Sequence, residues 1–135
     1  MRKMILILTL LIGIVTSVYA PDNYVLYIEE SIPISSYDAL IRAVVAVESK
    51  GNIYAYNEKE QATGAFQIRP IRLSHYNHDT GNNYTLNDMY NYDIAKEVFL
   101  YFARKQGNNF EMIARSWNGR GSKTIEYWNK VKAKL

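Results

Sequence analysis

Hydrophobic and polar residues follow one pattern in the first twenty positions and another in the rest of the chain. Arg2 and Lys3 precede an almost unbroken apolar run from Met4 to Val15, with the small residues Val18 and Ala20 beyond it. A basic start, an apolar centre and a small-residue end make up the three parts of a secretory signal peptide. The run is shorter than the ~20 residues a spanning helix needs, which favours removal over anchoring. Pro21 would follow the cut and is poorly accepted there, so a shifted cleavage site or a retained anchor stays open. Residues 21–35 are polar and contain two prolines, and they read as an arm or linker.

Residues 36–135 carry helical patterning and read as one domain. Ser35-x-x-Asp38 forms a capping box downstream of Pro33 and predicts a helix starting near Ser36. Tyr37, Leu40, Ile41, Val44 and Val45 follow the 3.6-residue period and mark its buried face, and Gly51 ends it. Residues 52–68 lack that period, and their Asn, Gly and Thr content predicts a small hairpin or irregular lobe. Pro70 opens a short helix ending near Gly81, and Thr85-x-x-Asp88 caps another. Ile94, Val98, Phe99 and Phe102 mark a strongly amphipathic helix closed by Gly107, with Phe99, Tyr101 and Phe102 as core and core edge. Phe110, Ile113 and Trp117 line a further helix, and Ile125, Trp128 and Val131 line the last. The fold class is therefore α+β and predominantly α.

Composition narrows the function classes. With 135 residues, 48% of them hydrophobic, the chain suits one domain with a single core and is neither disordered nor collagen-like. It contains no cysteine, which excludes disulfide frameworks, thiol nucleophiles and cysteine zinc sites. The formal charge of +3 changes meaning once Arg2 and Lys3 are set aside. Fourteen basic residues then face 13 acidic ones, and they are unevenly spread: residues 21–95 hold five basic and ten acidic side chains, residues 96–135 nine and three. Lys130, Lys132 and Lys134 alternate at the end of the last helix, where cations complement the helix dipole. No basic fold motif accompanies them, so no nucleic-acid partner is expected; salt-sensitive association with an anionic cell wall is a better use of that charge.

One residue breaks the helical pattern. The apolar stripe of the first helix continues onto Glu48, a carboxylate in the last turn. Desolvation and the negative helix end both disfavour its anion, and a carboxyl held protonated near neutral pH suits a general acid. Position alone leaves a second reading open, a rim glutamate ion-paired with an arginine such as Arg115.

Three segments taken together are more specific. Glu48-Ser49, then Gly64-Ala65-Phe66-Gln67-Ile68, then Ser116-Trp117-Asn118-Gly119 resemble, in order and spacing, the soluble lytic transglycosylase and goose-type lysozyme families. The resemblance extends from about Tyr37 to Leu135. It implies a lysozyme-like fold and cleavage of the MurNAc–GlcNAc β-1,4 bond of peptidoglycan, with Glu48 as acid and then base. It implies substrate-binding roles for Ser49, Gly64, Gln67, Trp117 and Asn118. Each assignment has a physical sense. Gly64 allows close approach of sugar or backbone. Gln67 and Asn118 offer donors and acceptors for hydroxyl and acetamido groups. Trp117 offers a flat face for a sugar ring. Singly, the same residues also read as a turn glycine, a surface amide, a helix-capping asparagine and a core indole.

The chain departs from the family pattern at two places. Trp117 stands where tyrosine is common, so a hydroxyl near the acid is missing there, and Tyr54 or Tyr56 are the lobe's candidates to supply one. Arg120 stands where a small residue is usual. The resemblance also bears on mechanism. A retaining hydrolase needs a second carboxylate about 5–5.5 Å from the acid. A lytic transglycosylase needs one glutamate, because the substrate's acetamido group attacks the anomeric carbon and the muramyl 6-hydroxyl then displaces it, leaving a 1,6-anhydro product. Glu58 and Glu60 are the lobe carboxylates, and Glu60 is the candidate second one. Lysozyme-type hydrolysis and a non-catalytic glycan-binding envelope protein on the same scaffold stay as alternatives.

No cofactor is called for. His75 and His78, with Asp79 adjacent, have a spacing that can hold a metal but lack a matched third ligand, so no metal site is assigned. The expected partner is the peptidoglycan glycan strand, met as a monomer outside the cytoplasm, in the periplasm, envelope or medium. Any membrane association would be transient and would run through the N-terminal segment.

Overall fold

A computed structural model describes residues 35–135, so the signal peptide and arm expected over 1–34 lie outside the described residues. The chain runs α1 (Ser35–Ser49), a hairpin of β1 (Tyr56–Asn57) and β2 (Ala62–Thr63), α2 (Pro70–Thr80), a 3-10 turn (Leu86–Tyr90), α3 (Tyr92–Arg104), α4 (Phe110–Asn118) and α5 (Lys123–Lys132). This is the α+β, predominantly α class expected from the pattern. α1 begins at Ser35 itself, so that serine lies inside the helix and the residue preceding the helix falls outside the described residues.

The core forms where the helical stripes converge. α1 buries the expected Tyr37, Leu40, Ile41, Val44 and Val45, with Ala43 beside them. Phe66 stacks on Phe99 at 5.2 Å between ring centres, and Phe99 meets Trp117 edge-on at 5.0 Å. Tyr37 donates its hydroxyl to the Gly107 carbonyl at 3.0 Å, tying the start of α1 to the turn after α3.

The small lobe is held by plugs rather than by its sheet. β1 and β2 pair antiparallel through only two residues each, Tyr56 with Thr63 and Asn57 with Ala62, too little to be stable alone. Phe66 and Ile68 leave the lobe fully buried in the helical core, and each such burial contributes about 1.5–3 kcal/mol. Gly64 makes the packing close. Its φ is +79°, and a Cβ built there would lie 2.0 Å from the Met89 carbonyl oxygen on the 3-10 turn. The close approach that glycine permits is therefore to backbone, not to a ligand.

One expected helix takes the 3-10 form, and one expected stripe is corrected. Thr85 and Asp88 do form the capping interaction, with the Thr85 N–H donating to the Asp88 carboxylate at 2.7 Å. They open a single 3-10 turn, because Asn91 caps afresh: its side chain accepts from the Asp93 and Ile94 N–H groups and starts α3. In α5 the buried residues are Thr124, Tyr127 and Val131, while Ile125 is 48% exposed and Trp128 half-buried. The face that turns inward is rotated from the expected stripe, and a tyrosine leads it.

Candidate active site

Glu48 occupies the last turn of α1, half-buried, in a helix with no basic residue in that turn to offset the negative end. Its Oε1 accepts a hydrogen bond from the Tyr127 hydroxyl at 2.8 Å, across 79 positions of chain. Burial pushes the carboxyl up from 4.5 to about 7; the Tyr127 hydrogen bond and the Arg69 charge pull it down, and Glu60 pushes it up. Burial wins because the Arg69 side chain stays well hydrated, whereas the carboxylate has lost much of its water. Burial, followed by the neighbouring Glu48 charge, raises the Tyr127 phenol above its ordinary range, so it stays a donor. Arg115, the alternative partner for Glu48, instead pairs with Glu111 at 3.0 Å and donates to Thr124.

Glu48 opens onto a polar cleft of about 180 Å³, whose lining includes Glu60, Gln67, Arg69, Arg72, Trp117 and Asn118. The structure therefore gathers Glu48, Gln67, Trp117, Asn118 and Glu60 around one cavity. Ser49 and Gly64 stand behind it. The Ser49 hydroxyl donates back to the Val45 carbonyl at 3.1 Å, and Gly64 is buried against the 3-10 turn.

The roles within the cleft differ from expectation at two residues. Gln67 takes a left-handed backbone, φ 51°, and its Nε2 donates to the Ala55 and Gly64 carbonyls at 3.3 and 3.0 Å. Both amide protons are spent bracing the lobe, which leaves Oε1 as an acceptor for a ligand. Trp117 is only 7% exposed, and it donates Nε1–H to the Phe66 carbonyl at 3.3 Å. The Arg72 guanidinium lies over its ring, 4.6 Å from the ring centre. The indole is floor, not a sugar platform. Asn118, at the end of α4, is half-buried, and its amide makes no hydrogen bond to another described residue.

Three groups at the site, two lining the cleft and one behind Glu48, were not anticipated from the sequence. Tyr127, buried behind the cleft rather than lining it, brings a hydroxyl to Glu48; Tyr54 and Tyr56, at 72% and 52% exposed, make no such contact. Arg69 binds Glu60 at 2.9 Å, with both side chains well exposed. Arg72 donates to the Ser116 and Trp117 carbonyls at 3.2 and 2.9 Å, and burial lowers its pKa. The signal that could have found the two arginines is their i, i+3 spacing across Pro70 on the face that leaves the lobe. Glu58 is exposed and outside the lining.

Among the described residues no group of three His, Cys, Asp or Glu side chains could hold a metal ion. His78 lies 3.2 Å from Asp79, whose carboxylate already accepts from Tyr101 and Lys105 at 2.6 and 2.9 Å.

A mostly helical domain with a half-buried carboxyl facing a polar cleft is an arrangement suited to acid catalysis. Over residues 33–135 the chain matches the family model described as Transglycosylase SLT domain, and it belongs to that family. No curated protein and no solved structure matches it.

Proposed function

We propose that the protein is an exported lytic transglycosylase that cuts the MurNAc–GlcNAc β-1,4 bond of peptidoglycan with Glu48 as its single essential carboxyl. One observation carries the reading: a carboxyl held neutral up to about pH 7 faces the cleft with one oxygen fixed by Tyr127. Glu48 protonates the glycosidic oxygen as the C1–O bond breaks, and the substrate's acetamido oxygen bonds to C1. The Glu48 carboxylate then takes the proton of the muramyl 6-hydroxyl, whose oxygen displaces the acetamido oxygen at C1. The product is a 1,6-anhydro ring, and the acid returns to its starting state. Asn118 and the Oε1 of Gln67 are the groups available to orient sugar hydroxyl and amide groups. The basic start and short apolar run of residues 2–15 support export.

A second reading rests on Glu60, which lines the same cleft and would serve a hydrolase as second carboxylate. Its ion pair with Arg69 and its exposure favour a solvated structural role. Digestion of purified peptidoglycan followed by mass analysis separates the two. Products one water lighter than hydrolytic muropeptides are expected, and ordinary reducing ends would overturn the proposal.

A further inference from the structure

A second cavity, of about 290 Å³, shares Ile71 and Arg72 with the cleft and is completed by His75, Ser116, Gly119 and Arg120. No carboxylate lines it. The Arg72 guanidinium is committed to two backbone carbonyls, yet its charge remains at the boundary between the two cavities. Arg120 is exposed and makes no ion pair or hydrogen bond with another described residue. It is held between Gly119 and Gly121, whose φ values of 139° and 89° suit glycine, so the loop that presents it is sharply bent. Ile71, 64% exposed, adds an apolar wall.

A strand without peptide keeps only the lactyl carboxylate held next to each muramyl ring, whereas two guanidinium groups in a separate cavity suit a carboxylate carried further from the sugar. A muramyl unit carries a peptide branch with carboxylates and small aliphatic side chains, and a branch next to the scissile bond must leave the sugar cleft somewhere. We infer that the Ile71–Arg120 cavity is a subsite for a carboxylate of that peptide stem, with Arg120 as its specificity-determining cation, so that peptide-bearing strands are cut in preference to bare ones. This rests on the transglycosylase reading above and adds a substrate preference to it.

The test measures anhydro-product release from intact peptidoglycan strands and from the same strands stripped of peptide by an amidase, for wild type, Arg120→Ala and Arg120→Lys. Arg104→Ala, an exposed cation at the end of α3, serves as a control outside the cavity. The preference ratio in kcat/KM should be about fivefold to tenfold for wild type, the size expected of one partly exposed charge-assisted contact. It should fall near unity for Arg120→Ala, recover in part for Arg120→Lys and stay at the wild-type value for Arg104→Ala. A wild-type ratio near unity, or a ratio that Arg120→Ala leaves intact, overturns the subsite. If wild type cuts neither strand, the transglycosylase reading fails, and the subsite is judged by titrating N-acetylmuramoyl tripeptide and its carboxyl-amidated form into Glu48→Gln protein, followed by NMR. Binding lost on amidation and on adding Arg120→Ala supports the subsite, and equal binding of both forms overturns it.

Discussion

Glu48 and Glu60 line the same cleft, yet they are not the same kind of group. Glu48 ends a helix, is half-buried, and shares an oxygen with a buried phenol; burial raises its pKa to about 7. Glu60 sits in the hairpin turn, nearly half exposed, against Arg69 at 2.9 Å. Water and a cation surround Glu60, while burial raises the Glu48 carboxyl. Environment, not residue type, separates the two, and the proposed single-carboxyl mechanism depends on that separation.

The sharpest way to break this contrast is to neutralise each partner in turn. Glu48→Gln should lower turnover by about 10²–10⁴-fold, the range of a general acid, while Glu60→Gln stays within about tenfold. Equal losses in glycan release would make the pair a two-carboxylate hydrolase. Tyr127→Phe comes next, at roughly 10–100-fold, the range of one hydrogen bond to a charged group. The phenol stabilises the Glu48 anion, so its removal raises the carboxyl's pKa further. In a kcat/KM profile the wild-type decline as pH rises through about 7 should therefore move to higher pH in the variant.

A smaller effect appears in stability. Because folding raises the Glu48 pKa, the unfolded chain releases its proton first, and stability falls as pH rises from about 4.5 to about 7. Glu48→Gln removes that loss. Its Tm should exceed that of wild type at pH 8, with the gap shrinking as the pH is lowered towards 4.5. Arg69→Ala should have the smallest consequence, under about 1 kcal/mol in denaturant unfolding, because the pair it breaks is exposed.

The sequence made most of this architecture readable. The stripe ending on Glu48 and the Pro70 and Gly81 boundaries of α2 each follow from a local rule, and the structure keeps them. The misreadings share one cause: they concern side chains that can serve either apolar or polar surroundings. Ile125, Trp128 and Val131 form a plausible stripe, but Thr124 and Tyr127 lie one step round the helix, and α4 and α1, packed against it, decide which side turns inward. Trp117 suits a sugar face until Arg72 covers it from another helix. Gly64 could have faced ligand or backbone, and the Met89 carbonyl, 25 positions away, decides it. No local pattern carries partners from so far along the chain.

The bond from Tyr127 to Glu48 also orders the molecule in time. α1 is the first of the described helices to leave the ribosome and α5 the last, so a nascent chain carries the carboxyl long before the phenol that fixes it. Until the final helix docks, that carboxyl lacks both its partner and its apolar cover and titrates like any glutamate. The proposed acid is therefore assembled only once α1 and α5 have packed together.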